Sequence, residues 1–397
     1  MKHLKIIFNA LKGVFIGLLI TYTTPVLAEA EDVAIMDSVE ISLLTCEPHD
    51  EIYSLYGHTA IRYHDLRANG MDVAFNYGVF NFHAPYFVLR FVFGLTDYEL
   101  GAYPFYLFQK EYRHFGSQVT EQVLNLTNEE KLQLRLALAE NLLPENTVYR
   151  YNYFYNNCTT KARDVIEKCI NGKLQYTDCK TDTSTYRSII RHMTTNNPWA
   201  QFGNDLLLGV KADQLITMRQ QEFLPANLMR DFDNAKILCN GGSRPLVKES
   251  RVVVPAGTKI IQEGFPLSPK ICGIILLVIG VVLLVIQYHL QRIFRMWDVL
   301  LMLLTGTLGI VLFLMLFSQH PTVSLNLQII LFNPLPWFFL WPVIKGSKTR
   351  YWLMTEVLVA LFLIGSLFQS YAEGLWCLAL CLLLQSELHR ISSKYKH

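Results

Sequence analysis

The sequence lacks a strong charge of either sign and has no basic stripe. Its 397 residues carry 35 Lys and Arg against 33 Asp and Glu, a formal net charge of +2. No run of lysine and arginine is interleaved with aromatic residues. Proteins that bind nucleic acid need such a stripe to contact phosphates. We therefore expect no nucleic-acid partner, and the sequence suggests neither a cofactor nor a metal site.

The chain is also poor in charged residues, with 17% charged and 51% hydrophobic residues and a mean hydropathy of +0.24. It is too apolar for an ordinary soluble protein, and the excess lies at the C-terminal end. Each of five apolar stretches is near the length that crosses a bilayer, although the last is short. They are residues 271–288, 297–318, 325–344, 352–370 and 374–388. We predict a soluble domain at 29–265 and an all-α membrane domain with about five helices at 266–397.

The N-terminus has the pattern of an export signal. Three lysines precede an apolar stretch at 14–20, and Val-Leu-Ala follows at 26–28. The stretch is too short to span a bilayer comfortably, so residues 1–28 are interpreted as a signal peptide, with an uncleaved anchor as the alternative. No cysteine lies near the cleavage site, so the chain does not have the pattern of a lipoprotein.

Charges in the loops between the apolar stretches predict the orientation. Lysine and arginine follow the first, third and fifth stretches, whereas the loops at 319–324 and 370–373 carry none. Positive loops remain in the cytoplasm. The sequence therefore predicts a bacterial inner-membrane protein with its soluble domain in the periplasm and its C-terminus in the cytoplasm.

The exported part contains an odd number of cysteines. At least one of the five is unpaired unless it pairs with another chain, and spacing alone does not assign a disulfide. The five are Cys46, Cys158, Cys169, Cys179 and Cys239. Cys169 and Cys179 are close enough in sequence to bridge, and all five can equally be reduced.

The soluble part mixes strand and helix patterns, as in an α+β domain. Residues 39–46, 72–78 and 117–126 are rich in β-forming residues, and a further strand begins at His58. Thr127 to Glu130 is a capping box for a helix. In that helix Leu132, Leu136, Ala139 and Leu143 recur at helical spacing and predict one buried face.

Cys158 lies where an aromatic run of strand character ends and a helix pattern begins. A thiol at a helix N-terminus is favoured as a thiolate. A base must then lie within hydrogen-bond reach. His58 is favoured locally because it follows a glycine at a strand entry; a structural histidine and a buried structural cysteine are the alternatives. The other histidines of this part are His49, His64, His83, His114 and His192.

Residues 79–115 are dense in aromatic side chains. They fit core packing, and they also fit an apolar face that lies on the bilayer or lines an acyl-chain groove. The sequence leaves both interpretations open.

Two separated motifs resemble a known family. Tyr-Gly-His-Thr-Ala-Ile-Arg at 56–62, placed before Asn-Cys at 157–158, is similar to the circularly permuted NlpC-type branch of the papain-like fold. That branch includes lecithin retinol acyltransferase and related thiol acyltransferases. The similarity is closer to the Bacteroidota-type lipoprotein N-acyltransferases, Lnb. Further similar segments are Leu-Leu-Thr-Cys at 43–46, Phe-Asn-Tyr-Gly at 75–78, Glu-Gln-Val-Leu-Asn-Leu at 121–126, Pro-Glu-Asn at 144–146, Tyr-Phe-Tyr at 153–155, Pro-Trp at 198–199 and the multi-span tail.

The resemblance implies a periplasmic domain of the permuted NlpC type and transfer of an acyl chain from a phospholipid to the α-amine of a diacylated lipoprotein. It implies Cys158 as the nucleophile and His58 as the general base. Aspartate more often precedes the cysteine in this family, so Asn157 departs from the pattern and receives no role.

The chemistry also asks for a group that orients the histidine and for groups that hold the lipid. Asn76 is the candidate for orienting His58, and Tyr77 or Asp72 fits almost as well. His320, Asn326 and Asn333 put polar groups at the outer membrane boundary, where they are candidates for head-group binding. A plain loop and a helix break explain them equally well.

Two other classes of function fit parts of the sequence. The same Cys-His pair fits a hydrolase of cell-wall peptide or amide bonds, although several spans suit a lipid substrate better than a wall substrate. A third hypothesis is a non-catalytic sensor coupled to a membrane module.

Overall fold

The computed structural model describes residues 33–80, 85–177, 183–239, 241–260, 264–347 and 350–394. The predicted signal segment at 1–28, His83 and Cys179 lie outside these residues. The described chain forms two compact units. The first contains the described residues of Met1–Phe87, Leu95–Asp182 and Thr217–Gln262, and the second contains those of Val88–Gly94, Thr183–Ile216 and Glu263–His397.

Strands and helices are numbered here in chain order. The strands are β1 Val39–Cys46, β2 His58–Asp65, β3 Asp72–Val79, β4 Asp97–Pro104, β5 Val119–Leu124, β6 Val148–Arg150, β7 Lys173–Gln175, β8 Lys236–Cys239, β9 Gly242–Pro245 and β10 Val247–Val254. The helices are α1 Phe87–Val92, α2 Phe105–Phe115, α3 Asn128–Asn141, α4 Cys158–Lys168, α5 Tyr186–Met193, α6 Pro198–Leu207, α7 Met218–Gln221, α8 Pro225–Asn234, α9 Pro269–Leu290, α10 Arg295–Met315, α11 Leu335–Lys345, α12 Tyr351–Gly365 and α13 Leu375–Lys394.

The first unit is built on a seven-stranded sheet in the order β10-β5-β1-β2-β3-β4-β6, and the neighbouring strands pair antiparallel. The predicted strands at 39–46 and 72–78, the strand that begins at His58 and the one within 117–126 are all present. In the β1–β2 register, Cys46 lies opposite His58. A smaller sheet joins β7, β8 and β9.

Helices cover both faces of this sheet. On one face α4 places Ala162 and Ile166 in a core with Leu43, Ile61 and Phe75. On the other face α2 contributes Phe105, Phe108 and Tyr112, which pack with residues of β1 and β3. The alternation of side chains along a strand explains this division, because consecutive residues point to opposite faces.

Helix α3 has the predicted capping box, in which Thr127 and Glu130 bond reciprocally. Its predicted apolar face is partly wrong. Leu136 is 49% exposed, whereas Leu134 and Leu138 are fully buried. Residues four apart share a helix face. The buried stripe therefore runs through Leu134 and Leu138, and Leu136 points away from it.

The second unit contains the apolar C-terminal helices. Among the described residues, three helical stretches are long and apolar enough to cross a membrane: Pro269–Leu290, Arg295–Met315 and Leu327–Lys345. Tyr351–Gly365 is a shorter apolar helix, and α13 ends in a polar segment. The predicted fold class, a sheet-rich soluble domain followed by a helical membrane region, is confirmed. The number of five spans and the boundary at 265 stay predictions.

Residues 183–216 belong to the second unit, which the sequence did not predict. Arg187 in α5 is 1% exposed and donates to Asp205, to Asp213 and to the carbonyls of Leu208 and Gly209. Gln328 donates to the Asp205 carbonyl at 2.8 Å. These hydrogen bonds tie α5 and α6 to the segment that follows α10.

Candidate active site

The thiol of Cys158 stands at the first position of α4, and Asn157 caps that helix. The Asn157 side-chain oxygen accepts from the backbone N–H of Thr159 at 3.0 Å and of Thr160 at 2.9 Å. The Thr160 hydroxyl accepts from the Asn157 N–H in return. The cap satisfies N–H groups that have no partner inside the helix. The cap therefore fixes Cys158 as the first residue of the helix.

Asn157 also anchors the helix start to other parts of the first unit. Its side-chain nitrogen donates to the carbonyl of Tyr153 at 3.0 Å and to that of Phe223 at 2.8 Å. The side chain is 4% exposed. An asparagine can accept and donate at once, whereas an ionised aspartate only accepts. The departure from aspartate at this position thus has a structural explanation.

His58 is the first residue of β2, and the glycine before it sets its position. Gly57 has φ +78°, a conformation that side chains rarely adopt. A Cβ at Gly57 would lie 2.6 Å from the Cys46 carbonyl oxygen. The chain can enter β2 this closely to β1 only because no side chain is present.

Asn76 is the polar group that meets the His58 ring. His58 Nε2 lies 3.1 Å from Asn76 Oδ1, and Asn76 Nδ2 donates to the Ala74 carbonyl at 3.3 Å. This pairing leaves Nδ1 of His58 for the thiol. Of the two alternatives, Tyr77 accepts from Asn141 at 2.7 Å and Asp72 pairs with Arg62 at 2.7 Å. Asn76 alone of these three candidates is hydrogen-bonded to His58.

The electrostatics of Cys158 and His58 are coupled. Burial raises the pKa of the Cys158 thiol, but the charge and hydrogen bond of His58, the Thr59 backbone and the Thr159 hydroxyl together lower it to about 7. Burial lowers the pKa of His58, and the Cys158 thiolate and Asn76 outweigh this effect and raise it. Each charge thus stabilises the other. The pair favours a thiolate beside an imidazolium, and Cys158 is only partly buried.

The remaining described histidines of the exported part have other positions or partners. Burial, followed by the charge of His58, lowers the pKa of His49 to about 4, so that ring is neutral. It stacks on Phe115 with 4.1 Å between ring centroids. His64 lies further along β2, His114 is exposed on α2 and His192 is in the second unit. His83 lies outside the described residues.

The three predicted head-group ligands lie in the second unit. His320 Nε2 is 3.2 Å from the carbonyl oxygen of Phe91. Asn326 is buried, donates to the Leu206 carbonyl at 2.7 Å and accepts from Gln369 at 2.9 Å. Asn333 bonds within its own turn, to Ile330 and Leu335. These contacts give the two asparagines structural roles, and head-group binding by any of the three stays a prediction.

Several features of the site were not found from the sequence. Gly78 has φ +87°, a conformation that favours glycine, and a Cβ there would lie in ordinary contact, 3.5 Å, with Cys158 Cβ, so β3 passes beside the thiol at this residue. The Thr59 backbone and the Thr159 hydroxyl contact the sulfur. Asn157 had a usable signal, because asparagine is a preferred helix cap. No sequence pattern indicates the contact between the Thr59 backbone and the sulfur.

Comparison with known protein families identifies the two parts of the chain. The model of the Lnb N-terminal periplasmic domain matches residues 28–192, and the model of the Lnb transmembrane domain matches residues 260–397. Together they cover more than half of the sequence. The chain belongs to the Lnb family. Neither a curated protein nor a solved structure matches it.

Membership of the Lnb family confirms the resemblance seen in the sequence. It indicates an enzyme with a role like that of a lipoprotein N-acyltransferase, with lipoproteins as substrates. The two family models and the apolar helices indicate an inner-membrane protein with a periplasmic domain.

Proposed function

We propose that this protein transfers an acyl chain from a phospholipid to the α-amine of a lipoprotein's N-terminal diacylglyceryl cysteine, through a thioester on Cys158. The observation that carries the proposal is the arrangement of Cys158, His58 and Asn76. A thiol of lowered pKa stands at a helix start, beside a histidine whose far nitrogen is held by an asparagine. This is the arrangement that nucleophilic catalysis by cysteine requires.

In the first step the Cys158 thiolate attacks the carbonyl carbon of a phospholipid ester. The C–S bond forms, the bond to the glycerol oxygen breaks, and the His58 imidazolium gives its proton to that oxygen. The Thr159 and Thr160 N–H groups are occupied by Asn157. The Cys158 N–H is therefore the helix-start donor that we assign to the oxyanion.

In the second step the lipoprotein amine attacks the thioester carbon. The C–N bond forms, the C–S bond breaks, and His58, now neutral, takes the proton that the amine loses. The products are the N-acylated lipoprotein and the restored thiolate-imidazolium pair. Both steps need substrates that are anchored in lipid. A membrane domain suits this requirement, and the loop charges favour a cytoplasmic C-terminus.

Intact-protein mass spectrometry tests the proposal directly. The purified full-length chain, mixed with phosphatidylethanolamine vesicles, should gain the mass of one acyl group. Adding a diacylated lipopeptide should discharge that group and produce a triacylated lipopeptide. Cys158→Ala should abolish both products. Cys239→Ala is the matched control, because Cys239 is an exposed free cysteine of the same unit, and it should retain full activity.

A chain that forms no acyl adduct and leaves the lipopeptide diacylated would refute the proposal. Cleavage of muropeptides that depends on Cys158 would instead favour a cell-wall hydrolase.

A further inference from the structure

A row of aromatic rings runs through the first unit. Tyr151 and Tyr98 stack with 4.0 Å between ring centroids, and Tyr98 and Phe80 stack at 5.0 Å. Phe80 in turn stacks on Phe87 at 6.0 Å. Tyr98 belongs to β4, Tyr151 lies in the segment before α4, and Phe80 directly follows β3. It begins at Tyr151 and ends at Phe87.

The Tyr151 end lies beside the reacting thiol. A Cβ on Gly78 would lie 3.5 Å from Cys158 Cβ and 3.9 Å from Tyr151 Cε2, so both residues border the space that the glycine leaves empty. Burial and then the charge of Cys158 raise the pKa of Tyr98 to about 12. The first two rings of the row are therefore close enough to Cys158 to respond to its charge.

The other end of the row approaches the surface. Tyr98 is buried, while Phe80 and Phe87 are partly exposed. Tyr53, whose ring lies 5.9 Å from that of Phe80, is 55% exposed. The rings thus form an apolar path from the thiol outward. An apolar chain that is attached to the thiol can lose its contact with water along this path.

We propose that Tyr151, Tyr98, Phe80 and Phe87 bind the acyl chain that Cys158 carries, with the carboxyl end at Tyr151 and the methyl end towards Phe87. This inference rests on the proposed function, because the thioester is what fixes one end of the chain. The row then acts as a measure of chain length. Rings near the thiol contact every acyl chain, and Phe80 and Phe87 contact only the longer ones.

Chain-length dependence of acyl-adduct formation tests this assignment. Wild type, Phe80→Ala and Phe87→Ala are each mixed with dioctanoyl- or dipalmitoyl-phosphatidylethanolamine in the same detergent, and the rate of adduct formation is measured by intact mass. Phe80→Ala should slow dipalmitoyl transfer about tenfold and dioctanoyl transfer less than about twofold, because lost apolar contact scales with buried area. Phe87→Ala should show the same selectivity with a smaller effect.

The matched control is Tyr106→Ala, because Tyr106 is an aromatic residue of the same unit that is 66% exposed and outside the row. It should change neither rate. Phe80→Leu keeps most of the buried volume; should Phe80→Ala not fold, this variant must show the same preference in weaker form.

The outcomes separate the inference from the proposed function. Equal slowing of both donors by Phe80→Ala and by Phe80→Leu would refute the acyl path and leave the rings as core packing, with the acyltransferase function intact. Absence of any adduct on the wild-type chain would refute the proposed function, and the acyl path with it.

Discussion

The polar cluster around Arg187 in the second unit and the polar cluster around Cys158 in the first unit differ in whether a reactive group lies among their side chains. In the second unit Arg187 uses every guanidinium N–H. These groups donate to the carboxylates of Asp213 and Asp205 and to the backbone carbonyls of Asp205, Leu208 and Gly209. In the first unit Asn157, Asn76 and His58 are also hydrogen-bonded, but they surround a thiol that is only partly buried. A cluster in which a buried cation donates all of its N–H groups stabilises a structure. A cluster that converges on a reactive, accessible atom can do chemistry.

Asn157 and Asn326 show the same contrast in one residue type. Each caps a helical start and donates to a distant carbonyl, that of Phe223 for Asn157 and that of Leu206 for Asn326. Of the two, Asn157 alone precedes a cysteine thiol. The role of such an asparagine therefore depends on what the cap positions and cannot be assigned from residue type.

The largest effect on activity should come from a change in the Cys158 cluster of the first unit. His58→Gln should slow acyl-adduct formation about a thousandfold, because general acid-base catalysis contributes roughly 10²–10⁴-fold. The charge and the hydrogen bond of His58, which are the main effects that lower the pKa of the thiol, are then lost. That pKa should therefore rise, which the pH dependence of iodoacetamide alkylation measures. His114→Gln, at an exposed position of α2, should leave both unchanged. Normal activity of His58→Gln would contradict the proposed base.

A change in the Arg187 cluster of the second unit should lower local stability and leave the reactivity of Cys158 unchanged. Arg187→Met leaves Asp205 with less compensation, at a cost of about 3 kcal/mol in local stability, because breaking a buried ion pair is strongly destabilising. Hydrogen exchange across α5 and α6 should report this loss, while alkylation of Cys158 stays unchanged. Arg150→Met, which breaks a pair between a 46% exposed arginine and the 31% exposed Asp97, should change stability by less than about 0.5 kcal/mol. Unchanged protection in Arg187→Met would remove the contrast between the clusters.

The pH profile tests the coupling within the Cys158 cluster of the first unit. The thiolate is lost as the pH falls through the Cys158 pKa of about 7. Lowering the pH from about 7 to about 5 should therefore slow adduct formation about fiftyfold. At high pH the rate should fall again as His58, whose pKa is raised, loses the proton it must donate. A profile that is flat between pH 5 and 7 would show that the thiolate is not the reacting form.

The smallest effect should come from the helix cap. Asn157→Asp keeps an acceptor for Thr159 and Thr160 but loses both donated hydrogen bonds, so it should reduce stability by about 2 kcal/mol. Its negative charge beside the thiol should also raise the pKa of Cys158. Thermal unfolding and alkylation measure the two effects, with Asn196→Asp, at an exposed position, as the control. A fully stable variant would mean that the bonds to Tyr153 and Phe223 are dispensable.

Short sequence patterns predicted the secondary-structure elements that depend on neighbouring residues. The strands that carry His58 and Asn76, the helix start at Cys158 and the capping box at Thr127 follow from residue types and short spacings. The pairing of His58 with Cys158 came from the family resemblance, because six histidines could not be separated by spacing. The structure contains a hydrogen bond between His58 and Asn76, and the orienting role of Asn76 stays a prediction.

The remaining features depend on residues that are distant in sequence. Phe223 is 66 positions from Asn157, and Leu206 is 120 positions from Asn326. No periodicity or motif encodes such partners. For the same reason, the composition of residues 183–216 did not predict that they belong to the second unit.

Gly57 makes the site sensitive to mutation at a position that takes no part in the chemistry. Every missense change at this codon adds at least one carbon atom, and that atom would collide with the Cys46 carbonyl. Such alleles should behave in a screen like alleles that replace Cys158, although the altered residue holds no proton, charge or substrate. A map of inactivating alleles would thus place a residue without a side chain among the most sensitive positions of the protein.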